Sequence, residues 1–239
     1  MGKLEKINLR ELSAGLEKPF KVLAVASVGD VILSMCLCAG QMCPQRHVDF
    51  DEMFWVYEGI VDLVTEIGSE TLRAGDVAVV PKGVEHWSVS ETRSLVLLMR
   101  CGVVPHRKNG RRRLFAALAG MDLVHLSIGQ AANDLRAMHE FKTVAHLEGS
   151  VLQVGIGEGS WVVDVPAPHD ELLCVWAGTA SVQTHDGMQH LHVGEMSVVR
   201  EGEVYHLSTS RDAILVRVTH IHRDDNDCLG GTHLGGEDD

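Results

Sequence analysis

The sequence predicts an all-β protein whose strands fall into two copies of one unit. Short apolar runs follow one another from residue 21 to residue 100, separated by turn residues at the spacing of a β-barrel or sandwich. A chain of 239 residues with 24 glycines and only 5% aromatic residues suits strands and turns. Two patterns also recur at a fixed distance. Glu52-x6-Gly59 returns as Glu171-x6-Gly178, and Gly75-x7-Gly83 returns as Gly194-x7-Gly202, each 119 residues on (171 − 52 and 194 − 75). A constant offset across two separated blocks marks a duplicated domain.

Taken in order, residues 1–20 carry Leu4, Ile7, Leu9, Leu12 and Leu16, a loose helical or irregular pattern that ends near Pro19. Strands are expected at 22–26 and 31–37, on either side of a Gly29-Asp30 turn, and then at 42–48, 52–57, 60–66, 76–80, 85–89 and 95–99. Residues 105–113 are polar and basic, with Arg107, Lys108 and Arg111 to Arg113 around Asn109-Gly110, and suit a solvated linker; 114–119 suit one or two helical turns. The expected organisation is an N-terminal barrel at 1–104, a basic linker with a short helix at 105–121, a second barrel at 122–223 and an acidic, glycine-rich tail at 224–239.

A net charge of −12 disfavours general attraction to nucleic acid or anionic lipid. The longest apolar runs, such as 31–39, are too short to span a bilayer. The start, Met1-Gly2-Lys3-Leu4-Glu5-Lys6, has neither the apolar core of a secretory signal nor the Ser or Thr of a myristoylation motif. Six cysteines form no C-x-x-C pair, and Cys36 and Cys38 are expected to pack as small hydrophobes. These features predict a cytoplasmic protein with no nucleic-acid or membrane partner, and the strand edges of its barrels predict a homodimer.

The candidate site lies between Gly40 and His86. Alternate residues of a strand share a face, so Cys43, Gln45 and His47 are expected to project together. Glu52 opens the next strand; if it faces inward so do Phe54 and Val56, while Met53, Trp55 and Tyr57 face out. His86 follows the Pro81-Lys82-Gly83 turn. Gln45, His47, Glu52 and His86 are thus expected to meet. Imidazole nitrogen and carboxylate oxygen on rigid elements, with a position left open, suit a transition metal of moderate hardness. Singly, each residue has an ordinary explanation: a surface histidine, a Glu52–Arg46 ion pair, a turn cap. Their joint spacing favours the metal. Cys43 is expected to pack inside, and Trp55 and Trp87 to support packing.

These motifs resemble the cupin superfamily, in its small conserved-barrel branch. Gly75, Pro81, Gly83 and His86 complete that family's second motif, G-x5-P-x-G-x2-H; His47, Glu52 and Gly59 match its first, with Gln45 where the pattern has a histidine. The resemblance covers roughly 20–100 and, through the repeat, 140–220. It implies two tandem cupin-type double-stranded β-helix (jelly-roll) barrels, with short helical segments at the N-terminus and linker. It also implies one divalent metal (Fe, Mn, Zn, Ni or copper) at Gln45, His47, Glu52 and His86. A glutamine oxygen is a weaker, harder ligand than imidazole. Cupins span enzymes, sensors and storage proteins, so the fold alone does not fix the activity. A metal-dependent enzyme acting on a small organic molecule is expected, dioxygenase-like ahead of isomerase or lyase, with a non-catalytic binding or sensing module as the alternative.

The second copy departs from the motif. Val163-Asp164-Val165-Pro166-Ala167 stands where Gln45 and His47 stood; Arg200 replaces the turn proline and Tyr205 matches His86. His169, Glu171 and His206 form an alternative second set, against the simpler expectation of a degenerate barrel kept for folding. His185, His190 and His192 flank an Asp186-Gly187 hairpin and are expected to face solvent.

Overall fold

The computed structural model describes residues 4–102, 123–161 and 165–220. The linker, the tail and the Val163-Asp164 pair named above lie outside the described residues.

The first half supplies β2 (Val22–Val28), β3 (Val31–Gln41), β4 (Gln45–Arg46), β5 (Glu52–Glu58), β6 (Ile60–Thr65), β7 (Gly68–Arg73), β8 (Asp76–Val80) and β9 (Glu85–Cys101). The second half supplies β11 (Glu140–Leu147), β12 (Ser150–Trp161), β13 (Glu171–Ala177), β14 (Thr179–Thr184), β15 (Gly187–His192), β16 (Glu195–Val199) and β17 (Tyr205–His220). All pairings are antiparallel, in a nine-stranded and an eight-stranded sheet. The fold is therefore all-β.

Two strands expected at 85–89 and 95–99 are one. In β9 the first part pairs with β4, β6 and the end of β3, and the second part with the rest of β3 and with β5. A register shift between Cys38/Gly40 on β3 bends the ladder where Glu91, Thr92 and Arg93 are exposed. One long strand thus runs through both walls and closes the barrel, as β17 does in the second copy. β7, Gly-Ser-Glu-Thr-Leu-Arg, escaped sequence reading because only Leu72 is buried.

Residues 4–16 are more ordered than their sequence pattern implied. β1 (Glu5–Asn8) pairs with β16 of the second half, and β10 (Val124–Ser127) pairs with β8 of the first. Each arm continues into a short helix, α1 (Leu9–Ala14) and α2 (Ile128–Asn133). The arms keep the 119-residue offset, from 5 to 124 and from 9 to 128. Barrel membership is not consecutive: each half lends a strand that covers an open edge of the other. Asn8 ends β1 and caps α1, its Oδ1 accepting from the Arg10 and Glu11 amides at 3.0 and 3.1 Å.

β5 shows how the core sits. Phe54 and Val56 point into the first barrel with Cys36, Cys38, Val61, Leu63 and Leu72. Met53 and Trp55 point away from it, into a shared core with Cys174, Met196 and Val216 of the second half. Facing out of the barrel here means facing the other barrel, so both sides of the strand are buried. The contact is reciprocal at two glycines of positive φ, Gly75 (93°) and Gly194 (79°). A Cβ on Gly75 would stand 2.7 Å from Trp176 Cζ2, and one on Gly194 would meet the Tyr57 hydroxyl. Tyr57 and Trp176 are again 119 apart. Gly75→Ala is expected to destabilise the chain by roughly 1–3 kcal/mol. In denaturant unfolding, Gly75→Ala/Trp176→Ala should lose less than the sum of the single variants; strict additivity would remove Trp176 from the account.

Among the described residues, no helix is long and apolar enough to cross a membrane.

Candidate metal centre

Local pairing brings the site together. Gln45 on β4 lies directly opposite His86 on β9, so both side chains leave the ladder on one face. Glu52 is the first residue of β5, and His47 follows β4 after one step. The connecting loop is tied down by the Gly83 amide donating to the His47 carbonyl at 2.6 Å, and by Arg46, which donates to the Gly83 carbonyl. Arg46 ion-pairs with Glu66 at 2.7 Å and with Glu85 at 3.4 Å, leaving Glu52 to the histidines.

His86 Nε2 stands 3.1 Å and His47 Nε2 3.3 Å from the same oxygen, Glu52 Oε2. Ligand atoms of the three residues lie within 4.8 Å of one another, and no other such cluster of histidine, cysteine, aspartate and glutamate occurs among the described residues. Gln45 Nε2 is 3.3 Å from His86 Nε2. His86 and Glu52 are buried, at 1% and 4% exposure, and only the His47 side chain retains appreciable surface. His47 stacks on Phe50 at 4.6 Å between ring centroids, and Phe54 meets His86 edge-on at 5.7 Å.

The donor chemistry fits a divalent cation. His86 Nδ1 lies 3.0 Å from the Val84 carbonyl, which only accepts, so Nδ1 carries the proton. In the neutral ring Nε2 then offers a lone pair toward an oxygen that also offers lone pairs. His47 Nε2 is buried without a hydrogen-bond partner; it is close to Glu52 but misaligned for a hydrogen bond. A cation at the meeting point, or protons on the rings, resolves both conflicts. Burial pushes the Glu52 carboxyl up, but the two adjacent imidazoles, His47 and His86, outweigh it and hold the group at about 2.

That depression fixes a sign. A carboxyl lowered from its ordinary 4.5 stabilises the fold above 4.5, and the contribution fades as pH falls toward 2. Metal-free protein is therefore expected to lose on the order of 3 kcal/mol across that window. Glu52→Gln should lack this part of the loss in acid-unfolding curves; parallel curves would contradict the assignment.

Cys43, expected inside, is exposed: β4 is only two residues long, so its alternation does not reach back to 43. Cys36 and Cys38 are buried below the cluster, and the neighbouring Cys38 together with burial raises the Cys36 thiol.

In the second barrel His169, Glu171 and His206 are not gathered. Strand alternation turns Tyr205 inward and leaves His206 exposed. His169 meets the His220 ring edge-on at 5.4 Å. Tyr205 sits opposite Thr184 as His86 sits opposite Thr65, and its hydroxyl donates to Glu171 Oε2 at 2.7 Å. Burial and the adjacent carboxylate raise the Tyr205 phenol, which keeps its proton in place. Arg217 Nη1 reaches Glu171 at 3.4 Å. Sequence reading missed Arg217; its signal was a lone charge within the apolar run from Ala213 to Val218. His185, His190 and His192 are all exposed on their hairpin, as expected.

The folded chain is a pair of jelly-roll barrels, the first carrying a His-Glu-His cluster suited to a metal. No known family profile matches the sequence, and no curated protein matches it. Solved structures do. A cupin 2 conserved barrel domain protein from Leptotrichia buccalis gives a TM-score of 0.71 at 11% identity, over 92% of this chain and 98% of that one. Salicylate 1,2-dioxygenase from Pseudaminobacter salicylatoxidans gives 0.68 at 11%, over 91% and 84%. Protein Ylba from E. coli gives 0.62 at 11%, over 93% of both. Similarity at this identity shows the fold: it is the cupin fold, present twice.

Proposed function

We propose that the chain is a metal-dependent enzyme that acts on a small organic molecule at the mouth of the N-terminal barrel. The observation that carries this is the convergence of His47 Nε2, Glu52 Oε2 and His86 Nε2 at one partly open point, with the His47 nitrogen buried and unpartnered. A bound divalent metal would supply a Lewis acid for a carbonyl or enolate oxygen and, as iron, a centre for dioxygen chemistry. His47, Glu52 and His86 would hold it, with Gln45 contributing its amide oxygen after rotation of the amide or donating N–H to a substrate oxygen. The Val84 carbonyl fixes the His86 ring and its tautomer. Apolar residues below the site, among them Phe54, Val56 and Leu63, exclude water and limit the substrate to a small molecule near the mouth.

Dioxygenase-like chemistry is favoured over isomerisation or elimination because two imidazoles and one carboxylate form the donor set of non-haem iron sites. The similarity in fold to a salicylate dioxygenase makes hydroxybenzoates the first substrates to try. Oxygen uptake that requires both iron and one of a panel of hydroxylated aromatic acids would support the reading. Inertness with iron, manganese, nickel and zinc alike would overturn it. Gln45 in place of an imidazole favours one second reading, a binding module without turnover, marked by a ligand that raises Tm and is recovered unchanged.

A further inference from the structure

We propose that the second barrel is a ligand site in its own right, in which the Arg217 guanidinium stands where the first barrel gathers metal ligands, and that it takes a small organic carboxylate. The inference concerns residues outside the first-barrel cluster and holds whether or not that cluster carries metal.

The two barrels treat the same buried glutamate differently. Glu52 faces two imidazoles, whereas Glu171, 3% exposed, receives the Tyr205 hydroxyl and Arg217 Nη1. Arg217 lies opposite Gln153 on β12, where the first barrel has Leu98 opposite Ser34. The arginine is held from three sides. Its Nε donates to Gln153 Oε1 at 2.8 Å, its Nη1 reaches both Glu171 oxygens at 3.4 and 3.5 Å, and its guanidinium lies 4.1 Å from the Phe141 ring centroid. A side chain fixed in this way has already lost the freedom that binding would otherwise cost.

The arrangement forms one wall of a cavity of about 270 Å³ that opens to solvent. Val165, Pro166 and Pro168 supply apolar lining to the same cavity. The polar groups around it are largely committed. The Tyr205 proton serves Glu171, Gln153 Nε2 donates to Thr143, and Thr219 donates to the Asp170 carbonyl. Arg217 Nη2 has no hydrogen-bond partner among the described residues, and its side chain keeps 21% of its surface. What Arg217 still offers is therefore N–H donors on a cation. A carboxylate accepts from these in the guanidinium plane, and a compact hydrocarbon body fits the apolar lining.

Benzoate is a suitable probe, with benzamide as its neutral counterpart. The full chain carrying His47→Ala/His86→Ala is titrated calorimetrically, so that the first-barrel cluster contributes nothing. Benzoate is expected to bind and to raise Tm, and benzamide to bind at least tenfold more weakly. Arg217→Met should weaken benzoate roughly thirtyfold or more, as expected when one partner of a buried charge pair is removed. Val165→Trp, at an exposed wall position, should block the mouth while leaving the Arg217–Glu171 pair intact, and it decides the matter if Arg217→Met does not fold. No binding of benzoate or of the smaller isobutyrate, equal binding of benzamide, or benzoate affinity unchanged in Val165→Trp would each overturn the proposal and leave Arg217 a structural plug.

Discussion

Trp55→Ala is expected to destabilise the protein by about 3–5 kcal/mol, the range for removing a large aromatic side chain from a close-packed interior. Trp55 is 0% exposed and packs in the core shared by both barrels, its ring 6.0 Å from that of Trp176. Domains of ordinary stability hold only about 5–15 kcal/mol in total, so the loss is a large fraction. Both barrels contribute to this core, so the variant is expected to unfold in one transition at lower denaturant, with no separate transition of the C-terminal barrel. The Trp55 indole Nε1 is buried without a hydrogen-bond partner. Trp55→Phe, which removes that donor and keeps most of the ring, is therefore expected to lose much less than Trp55→Ala. Equal losses in the two variants would show that packing of the ring is not what Trp55 contributes, and two separate transitions would show that the barrels are energetically independent.

The same residue shows where sequence reading stops. Alternation along β5 correctly divides Phe54 and Val56 from Met53 and Trp55, because period two is a local property of a strand. What covers the second face is a tertiary fact, set by a barrel 119 residues away. The arms are hidden for a related reason. Leu4, Ile7 and Leu9 give too short a run to fix a strand, and their partners on β16 lie almost the whole chain away. At the candidate site the turn residues and ligand types sit at fixed spacing in one half of the chain, so Gln45, His47, Glu52 and His86 were all legible as neighbours. In the second half the repeat made the exchange of His86 for Tyr205 legible as well, but not the part played by Arg217, because Arg217 reaches Glu171 across a ladder rather than along a motif.

Glu52→Gln is expected to have the largest effect on metal binding. The carboxylate oxygen is the atom both imidazoles share, and an amide in its place keeps the shape but loses the charge. Loss of even a residue that only supports a ligand weakens a metal site about 10–100-fold, and removal of a ligand itself should exceed that. Because the substituted side chain has the same size and faces the same pocket, secondary structure by circular dichroism should be unchanged. Metal titration that gives wild-type affinity in this variant would take Glu52 out of the site.

The most direct test counts metal in tag-free protein, wild type against His47→Ala/His86→Ala. Near one equivalent of a divalent transition metal is expected per wild-type chain, present as purified or taken up on reconstitution, and none above background in the double variant. Equal metal in both proteins, or none in either after reconstitution, would contradict a centre built on His47, Glu52 and His86.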